Sequence, residues 1–289
     1  MKTNKSWFKA ITLALFIHGT IFTANSQNAA FYSNKNFLKT LHADSSYMKL
    51  KQKVIADFVH TQPGHWGEFV KGVDEDIQTK KKYIAFTFDA CGGIKRNGYD
   101  AQLINFLQKE KIPATLFITG KWIDANFNTF INLSKDSLFE IENHGLNHQP
   151  CSIDGESEYG IHGTSNAAQA FDEIEANALK IEALTHHRPR YYRSATAFID
   201  EAGARLARKI GITAVSFQVL SGDAVPYTPV AVIEESVVKN VIPGAIVIMH
   251  FNHPEWNTFE AMEKIVPKLR KEGYSFVKLE HFQLISEKK

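Results

Sequence analysis

Cysteine is scarce in this chain of 289 residues: it occurs twice, at Cys91 and Cys151, so at most one intramolecular bridge can form. Charge of one sign is lacking too. The 33 basic and 31 acidic residues leave a formal net charge of +2 with no long basic block, which removes the electrostatic footprint of a nucleic-acid binder. Apart from the N-terminus, no apolar run approaches the length that a bilayer demands. Internal repeats, low-complexity tracts and heptads are missing as well, so nothing suggests a solenoid or a coiled coil. What remains is ordinary globular material, 44% hydrophobic and 22% charged, long enough for one large α/β domain or two small ones.

The N-terminus is different in kind. MKTNKSWFK carries three lysines and no acid, and AITLALFIHGTIF follows as an apolar core too short to span a bilayer. Ala24 and Ser26 then stand two apart before Gln27, the small-x-small spacing that a signal peptidase reads. Residues 1–26 are therefore read as a cleaved secretory signal; the plainer alternative is a buried N-terminal helix. No cysteine follows the apolar core, so nothing points to a lipid anchor. The expected location is secreted or periplasmic, without stable membrane association once the signal is removed.

Residues 27–82 are polar and lysine-rich, with a helical pattern around 37–59 and a Gly/Trp turn region, TQPGHWGEF. They read as an N-terminal helical extension packed on a main domain at 83–289. From Tyr83 the pattern becomes regular. Short apolar runs at 83–88, 114–119, 138–143, 190–193, 213–220, 245–250 and 275–279 alternate with amphipathic stretches such as YDAQLINFLQKEK, DEAGARLARKIG and TFEAMEKIVPKLRKEG, several of them ending in Gly or meeting Pro. Strand and helix alternating about seven times predicts a parallel α/β sheet closed or nearly closed into a barrel. In such barrels the chemistry sits at the C-terminal ends of the strands.

The polar residues just past each run are therefore the ones to weigh. Asp89 follows the first, His144 and His148 the third, Arg193 the fourth, Asp223 the fifth and His250 the sixth. Taken singly, each has a plain reading: Asp89 as a turn or N-cap residue, His250 as a satisfied rim histidine, Arg193 as an ion-pair partner, Asp223 as part of a turn. The histidines of NHGLNH stand four apart and can share one metal if the segment is helical or tightly turned, although the glutamate of the HExxH metalloprotease pattern is absent. Co-location raises the odds, because all six groups fall at successive strand ends.

In this order, these residues resemble the polysaccharide deacetylase family, the NodB-like carbohydrate esterases of family 4, over about residues 83–285. TFDA at 87–90 stands for TFDD; HGLNH at 144–148 matches HxxxH; RSATAF at 193–198 keeps the Arg of the third motif without its Pro; SGDA at 221–224 has Ala where the fourth has Trp; and IMH at 248–250 matches LxH. The resemblance implies a distorted (β/α)7 barrel in which Asp89 is general base, His144 and His148 bind a divalent metal, Arg193 holds the base carboxylate, and His250 is general acid oriented by Asp223. It also implies an N-acetylated glycan as substrate, peptidoglycan or chitin-like. Amide hydrolysis needs those parts: an activated water, a cation for the oxyanion and a proton for the leaving amine.

The family's third ligand, the second Asp of TFDD, is replaced by Ala90. Three explanations compete: a water or a distant side chain completes the sphere, Asp89 itself leans onto the metal, or the site no longer holds metal tightly and survives as a glycan-binding remnant. The first is the expectation here, since base, histidines, arginine and acid are kept together; with one anionic ligand fewer the site suits Zn²⁺. Cys91 and Cys151 would lie in loops at the same mouth, and a disulfide between them is expected, with Cys91 as a thiolate ligand the rival. The expected activity is that of an exported, metal-dependent N-deacetylase. The alternatives are hydrolysis of another C–N amide or a sugar O-acetyl ester, or a noncatalytic glycan-binding protein. Trp256 and His253, and also His162, stand in rim loops where they could touch sugar, with Trp256 as a stacking face.

Overall fold

The computed structural model describes residues 26–286; the expected signal at 1–26 lies outside the described residues but for its last one. The described residues start with a short helix at Ser26–Phe31, and two longer ones follow, α1 (Asn34–Ala43) and α2 (Ser45–Ala56). The single helical pattern of the sequence breaks because the Asp44 carboxylate accepts from the backbone N–H of Ser46 and Tyr47 and so caps a new helix.

The sheet begins inside the stretch assigned to the extension, with β1 (Val73–Asp74), and continues with β2 (Tyr83–Ala90), β3 (Ala114–Ile118), β4 (Phe139–Asn143), β5 (Tyr191–Tyr192), β6 (Thr213–Val215), β7 (Val219–Leu220) and β8 (Ile246–His250). The spatial order is β7-β8-β2-β3-β4-β5-β6-β1, every pairing is parallel, and a ninth strand, β9 (Ser275–Phe276), joins the start of β2. The run TAVSFQVL, read as one strand, is split at Ser216–Gln218 into β6 and β7, which lie toward opposite ends of the sheet. Ser216 N–H donates to Asp74 and Gln218 N–H to Ile246. Covalent continuity through that bend closes the distorted barrel without a hydrogen-bonded ladder between its two ends.

Side chains alternate across the strands. Phe86, Phe88 and Ala90 of β2 pack outward with Leu116, Ile118, Val247 and Met249 under the covering helices. Ala85, Phe117, Tyr191, Val215, Ile246 and Ile248 face each other in the barrel interior. Helices also form at Gly120–Ala125 and Phe127–Ser134, in a stretch that had no strong periodicity, and the long helical run after Asn166 carries a π turn at Asp172–Ala176.

Candidate active site

Register brings the strand-end groups together. Asp89 sits opposite His250 across β2 and β8, and Asn143 sits opposite Tyr192 across β4 and β5, so His144 and Arg193 leave the sheet side by side. The backbone N–H of Arg193 donates to the Asn143 carbonyl at 2.9 Å.

Asp89 is buried, and its two oxygens face different partners. Oδ1 accepts from Arg193 Nη1 at 2.8 Å, and Oδ2 lies 3.7 Å from His144 Nε2. Arg193 is fully enclosed: Nη2 donates to the Ser216 carbonyl at 2.8 Å and the guanidinium lies 4.2 Å from the Phe117 ring centre. His144 Nδ1 stands 2.9 Å from the Arg193 carbonyl. A carbonyl can only accept, so Nδ1 carries the proton and Nε2 presents its lone pair to the site.

HGLNH is a tight turn, not a helix. Gly145 has φ +87 and His148 has φ +56, a left-handed conformation uncommon for a side-chain-bearing residue. The turn folds the His148 ring back onto His144, with centres 5.1 Å apart at 66°. Glu173, from the π turn, holds it in shape: its Oε1 accepts from the backbone N–H of Asn147 (2.9 Å) and Gln149 (3.1 Å). Burial pushes the Glu173 carboxyl up to about 7 in spite of those bonds. The N-terminal extension braces the same turn, since Asn34 Nδ2 donates to the Leu146 carbonyl at 2.5 Å. Neither Glu173 nor Asn34 is marked in the sequence, where one belongs to an acidic helical run and the other to a polar leader.

Cys91 joins the histidines. Its Sγ is 4.0 Å from His144 Nε2, and the ligand-type atoms of Cys91, His144 and His148 all lie within 4.8 Å of one another. Burial alone would raise this thiol, but the surrounding imidazoles of His148, His144 and His250 outweigh it and hold the thiol well below its usual value. The Cys91 carbonyl accepts from Thr119 Oγ1 at 2.6 Å. Gly92, at φ +70, lets the chain turn away beneath it, where a Cβ would come within 2.5 Å of Trp122 N. The expected Cys91–Cys151 bridge is not formed. Both thiols are free and buried, and Cys151 packs instead against Gly203, whose added Cβ would lie 2.7 Å from its sulfur. Ala90 points away from the site, into the outer core.

Across the cleft, His250 and Asp223 form a dyad. Ring Nδ1 lies 3.0 Å from Asp223 Oδ1, and the carboxylate also accepts from Ser221 Oγ (2.9 Å) and Thr258 Oγ1 (3.0 Å). Burial works to lower the His250 pKa, but the Asp223 charge and hydrogen bond prevail and raise it well above the usual value. Trp256 leans on His250 (5.5 Å, 73°) and stacks on His253 at 3.8 Å with the rings nearly parallel. His162 lies exposed on a separate two-stranded hairpin. All six strand-end residues expected from the sequence thus gather at one end of the sheet, which combines a clamped carboxylate, a nitrogen–sulfur donor cluster and an imidazole held by a carboxylate.

The polysaccharide deacetylase family model matches residues 76–215. Among curated proteins, the chain is 26% identical to a peptidoglycan-N-acetylglucosamine deacetylase of Bacillus cereus, over 70% of this chain and 88% of that one. It is 22% identical to the uncharacterised protein YlxY of Bacillus subtilis, over 80% of this chain but only 64% of that protein, just under two thirds of its length. Among solved structures, a CE4 family pseudoenzyme from Bacillus anthracis superposes with a TM-score of 0.60 at 23% identity, covering 70% of this chain and 66% of that one.

Proposed function

From the match of the polysaccharide deacetylase family model to residues 76–215 and the likeness to a peptidoglycan deacetylase, we propose that the chain is an exported, metal-dependent hydrolase that removes acetyl groups from the N-acetylated sugars of a glycan such as peptidoglycan. The observation that carries this reading is the placement of the Arg193-clamped Asp89 and the Asp223-charged His250 at adjacent strand ends, with His144 and His148 beside them. Hydrolysis of an amide needs a base on one side of the carbonyl and an acid on the side of the leaving nitrogen. Those two groups are present and are held by different neighbours.

The imidazoles fit a divalent ion, since His144 has its tautomer set with Nε2 free and both rings are buried. Such an ion, zinc by the softness of its donors, would supply Lewis-acid polarisation of the acetyl oxygen and of the attacking water. Asp89, kept in place by Arg193, accepts the proton that the water loses. His250 carries a proton because Asp223 faces its ring, and it delivers that proton to the sugar nitrogen as the C–N bond breaks. Trp256, stacked on His253 next to the acid, offers an aromatic face to a sugar ring.

The pseudoenzyme neighbour keeps a second reading in view, that of a noncatalytic glycan binder. Acetate release from N-acetylglucosamine oligomers and from peptidoglycan, before and after chelation and zinc reloading, separates the two. Metal-dependent release supports the hydrolase; glycan binding without release under any metal supports the binder.

A further inference from the structure

We infer that Cys91 is the third protein ligand of this centre, a thiolate that replaces a carboxylate. The inference rests on the metal-dependent reading above and names what completes it. Ala90 offers no donor atom, and it is fully buried in the outer core with Phe86 and Phe88, on the face of β2 opposite Asp89. Cys91 is two residues beyond Asp89, and in an extended chain that spacing returns the side chain to the same face.

The sulfur is held there by its surroundings. Thr119 Oγ1 fixes the Cys91 carbonyl, and the turn at Gly92 is sterically closed to any other residue. His144 Nε2, the nitrogen whose lone pair is free, lies 4.0 Å from Cys91 Sγ. Around a tetrahedral zinc, with bonds of roughly 2.0 to 2.3 Å, ligand atoms stand roughly 3.3 to 3.8 Å apart. A cluster within 4.8 Å closes onto an ion by small side-chain rotations. Asp89 is the competing donor, but one of its oxygens is committed to Arg193 at 2.8 Å, which leaves it free to act as a base. One thiolate and two imidazoles form a donor set that favours zinc over the harder magnesium or calcium. Three protein ligands also leave a position open for water or the substrate oxygen.

The test is cobalt titration of the chelated full chain, read by near-ultraviolet absorption, in which thiolate-to-cobalt charge transfer is diagnostic of a Co–S bond. Wild type and Cys151→Ser should each take up one equivalent and show the band. Cys91→Ser should lose the band and bind cobalt more than about tenfold more weakly, whereas Cys91→Asp should regain binding without the band. Cobalt bound without the band, with affinity unchanged in Cys91→Ser and lost in His144→Ala, would overturn the Cys91 assignment and leave the hydrolase reading standing. No cobalt uptake by wild type would overturn both.

Discussion

Asp223 holds His250 at two points: the His250 backbone N–H donates to Oδ2 at 2.7 Å, while ring Nδ1 meets Oδ1 at 3.0 Å. One carboxylate thereby sets both the position of the strand end and the charge of its ring. Asp223→Asn should keep the position and lose the charge. Burial would then be opposed by Cys91 without the larger contribution of Asp223, and the His250 pKa would fall, so less of the acid form survives at neutral pH. The expected result is a drop in kcat of about 10²-fold or more, with the alkaline limb of the pH–rate profile moved to lower pH. A uniform loss with no displacement of that limb would show that Asp223 only shapes the loop.

Arg193 and Asp89 are an ion pair with almost no solvent contact, 0% and 2% exposed. Breaking such a pair from one side leaves a buried charge without a partner and costs about 3–5 kcal/mol. Arg193→Met should lower the unfolding free energy by that order in denaturant titrations and should abolish turnover. Adding Asp89→Asn should recover most of the stability and none of the activity. This separates the structural cost of the pair from its chemical role.

The barrel was legible because its signals are local and periodic: apolar runs such as YIAFTF and AIVIMH, helix stops such as RKIG, and a polar residue after each strand. The candidate site was legible for the same reason, since strand ends converge whatever the intervening loops do. What escaped depends on which way a single side chain points. Ala90 marked a lost carboxylate in the sequence, yet the pleat turns it outward and brings Cys91 to the histidines. The disulfide failed as an expectation because two loops at one mouth need not face each other, and Cys151 is packed against Gly203. Glu173 and Asn34 reach the HGLNH turn from distant segments, and no spacing rule registers contacts of that range.

Glu173 gives a pH-dependent prediction. Its folded-state pKa, about 7, is raised above the ordinary value of 4.5, so its contribution to stability is complete below about 4.5 and is lost as the pH rises through about 7. Glu173→Gln retains an oxygen for the Asn147 and Gln149 N–H groups but never ionises. Relative to wild type, the variant should gain on the order of 1–3 kcal/mol between pH 4.5 and pH 8. Melts of both proteins across that range measure the difference, and a constant gap would contradict the assignment.

The N-terminal extension bears on the site through Asn34. The Lys180 ammonium is wholly buried; it donates to Asn34 Oδ1 at 2.8 Å and to the Gly120 carbonyl at 3.1 Å, and it pairs with Asp124. On its other side Asn34 donates to the Leu146 carbonyl, in the turn between the two histidines. Asn34→Ala removes both connections, and its loss of an acceptor for a buried cation should cost about 1.5–3 kcal/mol. Asn34→Asp restores the acceptor for Lys180 but not the donor to Leu146. Its stability should therefore lie near wild type while its affinity for zinc, measured by competition with a chromophoric chelator, falls with that of the alanine variant. Equal zinc affinity in all three proteins would mean that the turn keeps its shape through Glu173 alone, and that the extension stabilises the barrel without touching its chemistry.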